Sequence, residues 1–248
     1  SKYIGVKYVH CVPNATMGLL IASMLADIKH NELFSASAYT QAATINGALL
    51  LGGKPDIVDT DCESYTIDLS NINTRVVFVT AINGRYSKDT VQKIKKLKDS
   101  GHFVIEDAAQ ALASFYNNQH IGTFGDVGVV SFGSPKIITT GQGGAIYTNN
   151  KDLSDRIHQI KNFGRIVRSG EVYDSFGLNF KFTDLQATFG IQQLKKLDKI
   201  SKHKKFVFET YRTNLSDVAE FIDTDLSQTT PTYPEMLVDD SLNIHNKL

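Results

Sequence analysis

Short apolar runs recur along this chain at residues 75–80 (RVVFVT), 103–106 (FVIE), 127–131 (VGVVS) and 145–148 (AIYT). Runs this rich in β-branched residues, without polar alternation, read as strands covered on both faces. Covering both faces takes helices. The alternation of strands with helices therefore favours an α/β layer around a largely parallel sheet.

The helices are legible from spacing. After Asn14 and Thr16, both good N-cap residues, Met17, Leu20, Ile21, Met24, Leu25 and Ile28 fall on one helical face. A second helix is expected over residues 41–51, ending at Gly52-Gly53, with a short strand at 56–58. Residues 88–99 predict a lysine-rich helix stopped by Gly101. Helices are expected again at about 152–162, 184–197 and 202–215. The polar, turn-rich stretch 216–248 reads as the opening of a second unit. The expected division is a large domain over 1–200 and the start of a smaller C-terminal α/β domain over 201–248, incomplete at Leu248. Ser1 in place of Met is read as a start downstream of the natural N-terminus.

Composition removes several classes of function. Lys+Arg and Asp+Glu both total 26, so the zero formal charge argues against a dedicated nucleic-acid binder. The lysines at 93, 95, 96 and 98, and at 202, 204 and 205, read as solvated helix faces. Cys11 and Cys62 offer no disulfide framework, which fits a reducing compartment and a cytoplasmic location. The scattered histidines show no metal-type spacing, so no metal is expected. No apolar run approaches membrane-spanning length, and the opening residues lack a signal peptide's apolar region, so no membrane partner is expected.

The chemistry concentrates at strand ends, where ligands bind in open α/β sheets. Lys136 follows the strand ending at Ser131, inside a loop rich in Gly, Ser and Thr that closes with Gly141-Gln142-Gly143-Gly144. A neutral amine there can form a Schiff base with an aldehyde, and bare backbone suits a phosphate. Asp107 ends the strand before Ala108-Ala109-Gln110-Ala111. It can cap a following helix, pair with a pyridinium nitrogen, or do both. Gln110, three residues on, would return to the same helix face. Thr16 opens a helix whose N-terminus suits a phosphate. Taken singly, each residue has an ordinary explanation: a loop lysine, an N-cap, a tight turn. Their order along the chain makes a pyridoxal phosphate site the leading reading.

With these residues in hand, the chain resembles the DegT/DnrJ/StrS sugar aminotransferases, which are fold type I pyridoxal phosphate enzymes. The resemblance runs nearly end to end. It is carried by residues 5–16, by Ala43-Thr44-Ile45-Asn46 with Gly52-Gly53-Lys54-Pro55 and Asp59, and by the blocks 104–111 and 131–144. Gly177-Leu178-Asn179-Phe180-Lys181 with Asp184-Leu185-Gln186-Ala187 and Gln192-Gln193-Leu194 extends it. The resemblance implies a three-layer large domain with a mostly parallel central sheet. It implies that Lys136 bonds to the cofactor aldehyde, Asp107 pairs with the pyridinium nitrogen and Gln110 lies near the ring. Thr16 and Ser131 would hold the phosphate, with Ala15 beside them. Asn179 would reach the phosphate of a neighbouring subunit, so a homodimer with shared sites is expected.

Several positions depart from the family pattern. Ala15 stands where glycine is usual, narrowing backbone access to the phosphate. Gln41 stands where an aromatic often stacks on the ring, with Tyr39 as the nearest substitute, and Lys181 replaces an arginine. The family's leading arm is absent. The implied reaction is transfer of an amino group, with L-glutamate as donor, to a nucleotide-linked keto-sugar. C4 of a 4-keto-6-deoxyhexose is favoured, as in perosamine or viosamine formation. Two rivals remain: a related sugar dehydratase, whose relatives carry histidine in place of Lys136, and a catalytically silent binding module.

Overall fold

Val76, Val77, Phe78 and Val79 are fully buried, as are Val104, Ile105, Val129 and Val130. These runs therefore lie between two apolar layers, as their unbroken hydrophobicity requires. The computed structural model describes residues 1–166 and 171–238. Its first half comprises β1 (Tyr8–Val12), α1 (Ala15–Leu25), β2 (Leu33–Ser37), α2 (Ala42–Leu50), β3 (Lys54–Val58), β4 (Val76–Thr80), α3 (Thr90–Asp99) and β5 (Phe103–Asp107). A small hairpin of β6 (Phe115–Tyr116) and β7 (Gln119–His120) follows, then β8 (Val127–Ser131) and β9 (Gly144–Thr148). Three helices come next, α4 (Lys151–Lys161), α5 (Asp184–Leu194) and α6 (Leu197–Leu215), and a short pair, β10 (Glu220–Phe221) and β11 (Met236–Leu237).

The central sheet has seven strands in the order β1-β9-β8-β5-β4-β2-β3. From β8 to β3 every pairing is parallel, whereas β9 runs antiparallel to both β8 and β1. Alternate residues of each strand enter opposite layers. Val76, Phe78 and Ile105 pack with α1 residues Leu19, Ile21 and Ala22, where the Phe34 and Phe78 rings meet edge to face at 5.4 Å. Val77, Val79 and Val104 pack with Ile94 and Leu97 of α3 on the other side. The expected α/β architecture with a mostly parallel sheet is the one observed.

Some elements differ from expectation. β2 (LFSAS) carries two serines and no β-branched residue, so it looks like loop in sequence. Inside the sheet Ser35 is satisfied by Thr74, whose Oγ1 accepts from the Ser35 amide at 3.0 Å and donates to its hydroxyl at 2.9 Å. β1 forms one border of the sheet through its pairing with β9. Asn14, not Thr16, caps α1, accepting from the Met17 amide at 2.9 Å. No helix follows Asp107; the chain makes a turn there instead. α6 begins at Leu197, earlier than expected, and runs unbroken to Leu215. α5 opens with a capping box between Thr183 and Gln186, yet buries none of its residues. Among the described residues no helix is long and apolar enough to cross a membrane.

His120 is buried, its Nε2 bonded to the Leu112 carbonyl at 2.8 Å, and burial lowers its pKa to about 4. A pKa depressed by folding means that the unfolded chain binds the extra proton first as pH falls. This contribution to stability is complete above about pH 6.5 and is lost progressively towards pH 4. Thermal unfolding followed over that range should show a shallower acid slope in His120→Asn than in the parent chain.

Candidate active site

Reversal of β9 decides which atoms meet. Its first residue, Gly144, pairs with the last residue of β1 (Val12) and with the last residue of β8 (Ser131). One end of the sheet thus collects Val12, Gly144, Ser131, Asp107 and Thr80, and α1 starts directly above it. A Cβ at Gly144 would lie 2.8 Å from the Ala15 amide nitrogen and 2.8 Å from the Val130 carbonyl oxygen. Glycine therefore lets the first turn of α1 sit directly against the end of the sheet. Asn14 takes the Met17 amide, while the amides of Ala15 and Thr16 are first-turn donors without intrahelical partners. No acidic residue occupies that turn. Such a helix start favours a phosphate, and the Ser131 hydroxyl lies in the same row.

Asp107 is buried where β5 ends. Its Oδ1 accepts from the Ala109 amide at 3.1 Å, an Asx-type turn in place of the expected helix cap. Its Oδ2 accepts from Thr44 Oγ1 at 2.7 Å. Burial raises the Asp107 pKa; the Thr44 and Ala109 hydrogen bonds and the charge of Lys136 pull it back. Lys136 is half-buried, and desolvation lowers its pKa against the opposing pull of Asp107. Its loop is closed by Phe132, whose amide donates to the Gly143 carbonyl at 2.8 Å and whose carbonyl accepts the Thr140 amide at 3.0 Å. Ser131 Oγ accepts the Gly133 amide at 3.2 Å, so the hydroxyl proton stays available.

Gln110 is committed on its carbonyl side: Oε1 accepts the Asn83 amide at 2.6 Å. Asn83, held at φ 49°, accepts the amides of Thr232 and Tyr233 on Oδ1 at 2.8 and 3.0 Å. Its Nδ2 donates to the Tyr233 carbonyl at 2.8 Å. The chain after α6 is thereby drawn back over the site, and Tyr233 Oη donates to the Pro135 carbonyl at 3.4 Å beside Lys136. Tyr39 lies in the same corner, its hydroxyl donating to Glu235 at 2.8 Å, and Glu235 pairs with Arg85. Gln41 is exposed as the N-cap of α2, and Asn179 is exposed in an antiparallel bridge with Asn162.

The structure thus gathers Ala15, Thr16, Ser131, Asp107, Gln110 and Lys136 around one end of the sheet, and leaves Gln41 and Asn179 facing outward. Thr44 and Asn83 are additions. Thr44 belongs to a block noted in the sequence, but nothing local marked its hydroxyl as the partner of Asp107. Among the described residues no group of three or more metal-ligating side chains stands together. A cavity of about 480 Å³ bounded by Asp61, Arg85, Tyr86, Lys93 and Asp225 shares no lining residue with this cluster. The residues present fit a group with a phosphate at one end and a cationic ring nitrogen at the other, with an amine between.

A family model described as the DegT/DnrJ/EryC1/StrS aminotransferase family matches residues 1–239. The chain belongs to this family. GDP-perosamine synthase of Escherichia coli O157:H7 is 31% identical over 221 residues, covering 87% of this chain and 60% of that protein. The GDP-perosamine synthase of Vibrio cholerae is 27% identical over 252 residues, covering 99% of this chain and 69% of the relative. The chain thus spans 60–69% of the length of these relatives. The solved sugar aminotransferase CalS13 from Micromonospora echinospora superposes with a TM-score of 0.88 at 25% identity, over 100% of this chain and 72% of that one. An E. coli GDP-4-keto-6-deoxy-D-mannose-3-dehydratase with bound hydrated PLP shares the fold, with a TM-score of 0.82 at 18% identity, over 97% of this chain and 69% of that one.

The close backbone contact at Gly144 makes a direct prediction. Gly144→Ala should destabilise the domain by about 1–3 kcal/mol, because the added carbon meets backbone on two sides. Gly133→Ala, whose Cβ would meet only Ser131 Oγ at 3.4 Å, should be close to neutral in the same thermal-unfolding assay.

Proposed function

We propose that this chain carries the catalytic large domain of a pyridoxal-phosphate-dependent aminotransferase. Its amino acceptor is a nucleotide-linked keto-sugar, C4 of a 4-keto-6-deoxyhexose, and its donor is L-glutamate. The start of a smaller C-terminal domain, over 201–248, belongs to the same proposal. The observation that carries the reading is that buried Asp107 and half-buried Lys136 stand within electrostatic reach of each other at one end of the sheet, in a chain of this aminotransferase family.

The first-turn amides of α1, with Thr16 and Ser131, would hold the phosphate. Asp107 would keep the ring nitrogen protonated, and its buried carboxylate would gain a cationic partner in doing so. When bound, pyridoxal phosphate supplies an electron-withdrawing ring that stabilises negative charge on a substrate carbon. With its carbonyl oxygen held by the Asn83 amide, Gln110 would keep its amide N–H groups free to donate to the ring's oxygen. Desolvation lowers the Lys136 pKa, which favours the neutral amine that would take a proton from the substrate carbon and return it.

The dehydratase reading is disfavoured because Lys136 occupies the position at which those relatives carry histidine. Asn179 faces outward, as a residue serving a neighbouring subunit must. Leu185, Phe189 and Ile191 of α5 are 78%, 66% and 55% exposed, an apolar surface suited to a second copy. A homodimer with shared sites is part of the proposal.

Two measurements test it. With pyridoxal phosphate the full-length protein should show a visible absorption band that L-glutamate shifts, and Lys136→Ala should lose both the band and all turnover. A Lys136→Ala protein that still transaminates fully would sink the reading, and a parent protein with no band under saturating cofactor would favour the silent module. Separately, Leu185→Glu combined with Phe189→Glu should give a monomer in sedimentation velocity, with activity reduced at least tenfold. A dimer that persists would place the interface elsewhere.

A further inference from the structure

Three threonine hydroxyls stand in file behind Asp107. Thr80 and Thr40 are 2.9 Å apart, Thr40 and Thr44 are 2.7 Å apart, and Thr44 Oγ1 is 2.7 Å from Asp107 Oδ2. Thr44 is fully buried and Thr80 nearly so, while Thr40 lies half-buried at the rim. A hydroxyl has one proton to give, and an ionised carboxylate can only accept. Thr44 must therefore donate to Asp107, which leaves it an acceptor towards Thr40. Thr40 in turn accepts from Thr80. The charge on Asp107 sets the direction of every bond in the file, and a proton on Oδ2 would allow the whole file to reverse.

We propose that Thr44 is a positioning residue which, with Thr40 and Thr80 behind it, keeps Asp107 ionised and its carboxylate aimed to pair with a cationic ring nitrogen. The proposal rests on the reading above that this end of the sheet binds pyridoxal phosphate. Burial alone drives Asp107 towards the neutral acid, which could not play that part. The charged and titratable groups that act on it are few. Lys136 lies on the site side, while Glu106, Tyr86 and Tyr147 interact electrostatically among themselves or with Asp107 from neighbouring strands and loops. Of these only Lys136 is cationic, and among the described residues it makes no direct ion pair with Asp107. Thr44 is the closest hydrogen-bond donor to the carboxylate. Hydroxyls linked in one direction polarise one another, so Thr40 and Thr80 strengthen the last bond.

The test compares the full-length protein with Thr44→Val, Thr44→Ser and Thr40→Val. In the cofactor-free protein, the carboxyl carbon resonance of Asp107 is titrated by NMR. Loss of a hydrogen bond to a charged group should move its midpoint upward by about 1 to 2 pH units in Thr44→Val. Pyridoxal phosphate affinity, read from visible absorbance, should weaken about 10- to 100-fold in the same variant. Thr44→Ser should restore both values, and Thr40→Val should shift both in the same direction by less. A role confined to packing would lower the melting temperature and leave midpoint and affinity unchanged, which would overturn the proposal. Should Thr44→Val fail to fold, an unmoved Asp107 midpoint in Thr40→Val would overturn it equally. If the parent protein binds no pyridoxal phosphate while the Asp107 midpoint still shifts, the functional reading falls and the cofactor-directed role of Thr44 falls with it.

Discussion

The site is organised around one reversed strand. Had β9 run parallel to β8, its amino end would lie at the far side of the sheet and Gly144 could not face both Val12 and Ser131. Because it is antiparallel, the loop that carries Lys136 starts and finishes at the same end of the sheet, closed by the Phe132 and Gly143 backbones. The border strand β1 then delivers α1 above that end, and glycine at position 144 lets helix and sheet approach each other. Lysine, helix start and carboxylate converge through the direction in which the strands pair.

Two adjacent carboxylates on β5 show how differently a buried acid can be used. Glu106 and Asp107 are both buried, and burial raises both pKa values. Glu106 is surrounded by local donors: Tyr86 Oη at 2.7 Å, the Gly122 amide at 3.1 Å, and the amide of Gly125. It pins the loop between β7 and β8 and faces away from Asp107, as neighbours on a strand must. Asp107 has fewer donors and keeps lone pairs free, which suits a group that awaits a partner. One acid is structural and satisfied. The other is held in readiness.

Much of this was legible before any coordinates. The unbroken apolar runs identified β4, β5, β8 and β9, because burial on both faces leaves a simple compositional mark. Lys136 and Asp107 stood out because each follows such a run in a polar or small-residue context. β2 was hidden, since Ser35 and Ser37 look like turn residues until Thr74 is seen to satisfy Ser35 from 39 positions away. The helix anticipated after Asp107 gave way to a turn, because an aspartate can satisfy a nearby amide in either arrangement. Thr44 and Asn83 act through partners distant in sequence, and no local pattern announces such a bond.

The return of the chain over the site has a consequence of its own. Asn83 grips the backbone of residues 232 and 233 with one end of its amide and the other, while its own amide hydrogen is held by Gln110. Arg85 adds a nearly buried ion pair to Glu235 from the same turn. Anything that displaces residues 232–235 must break these bonds and leave Asn83, at positive φ, without the contacts that hold it there. Gln110 would then lose its fixed orientation. Seating of the segment beyond α6 and order at Gln110 are therefore linked equilibria, and stabilising either one stabilises the other.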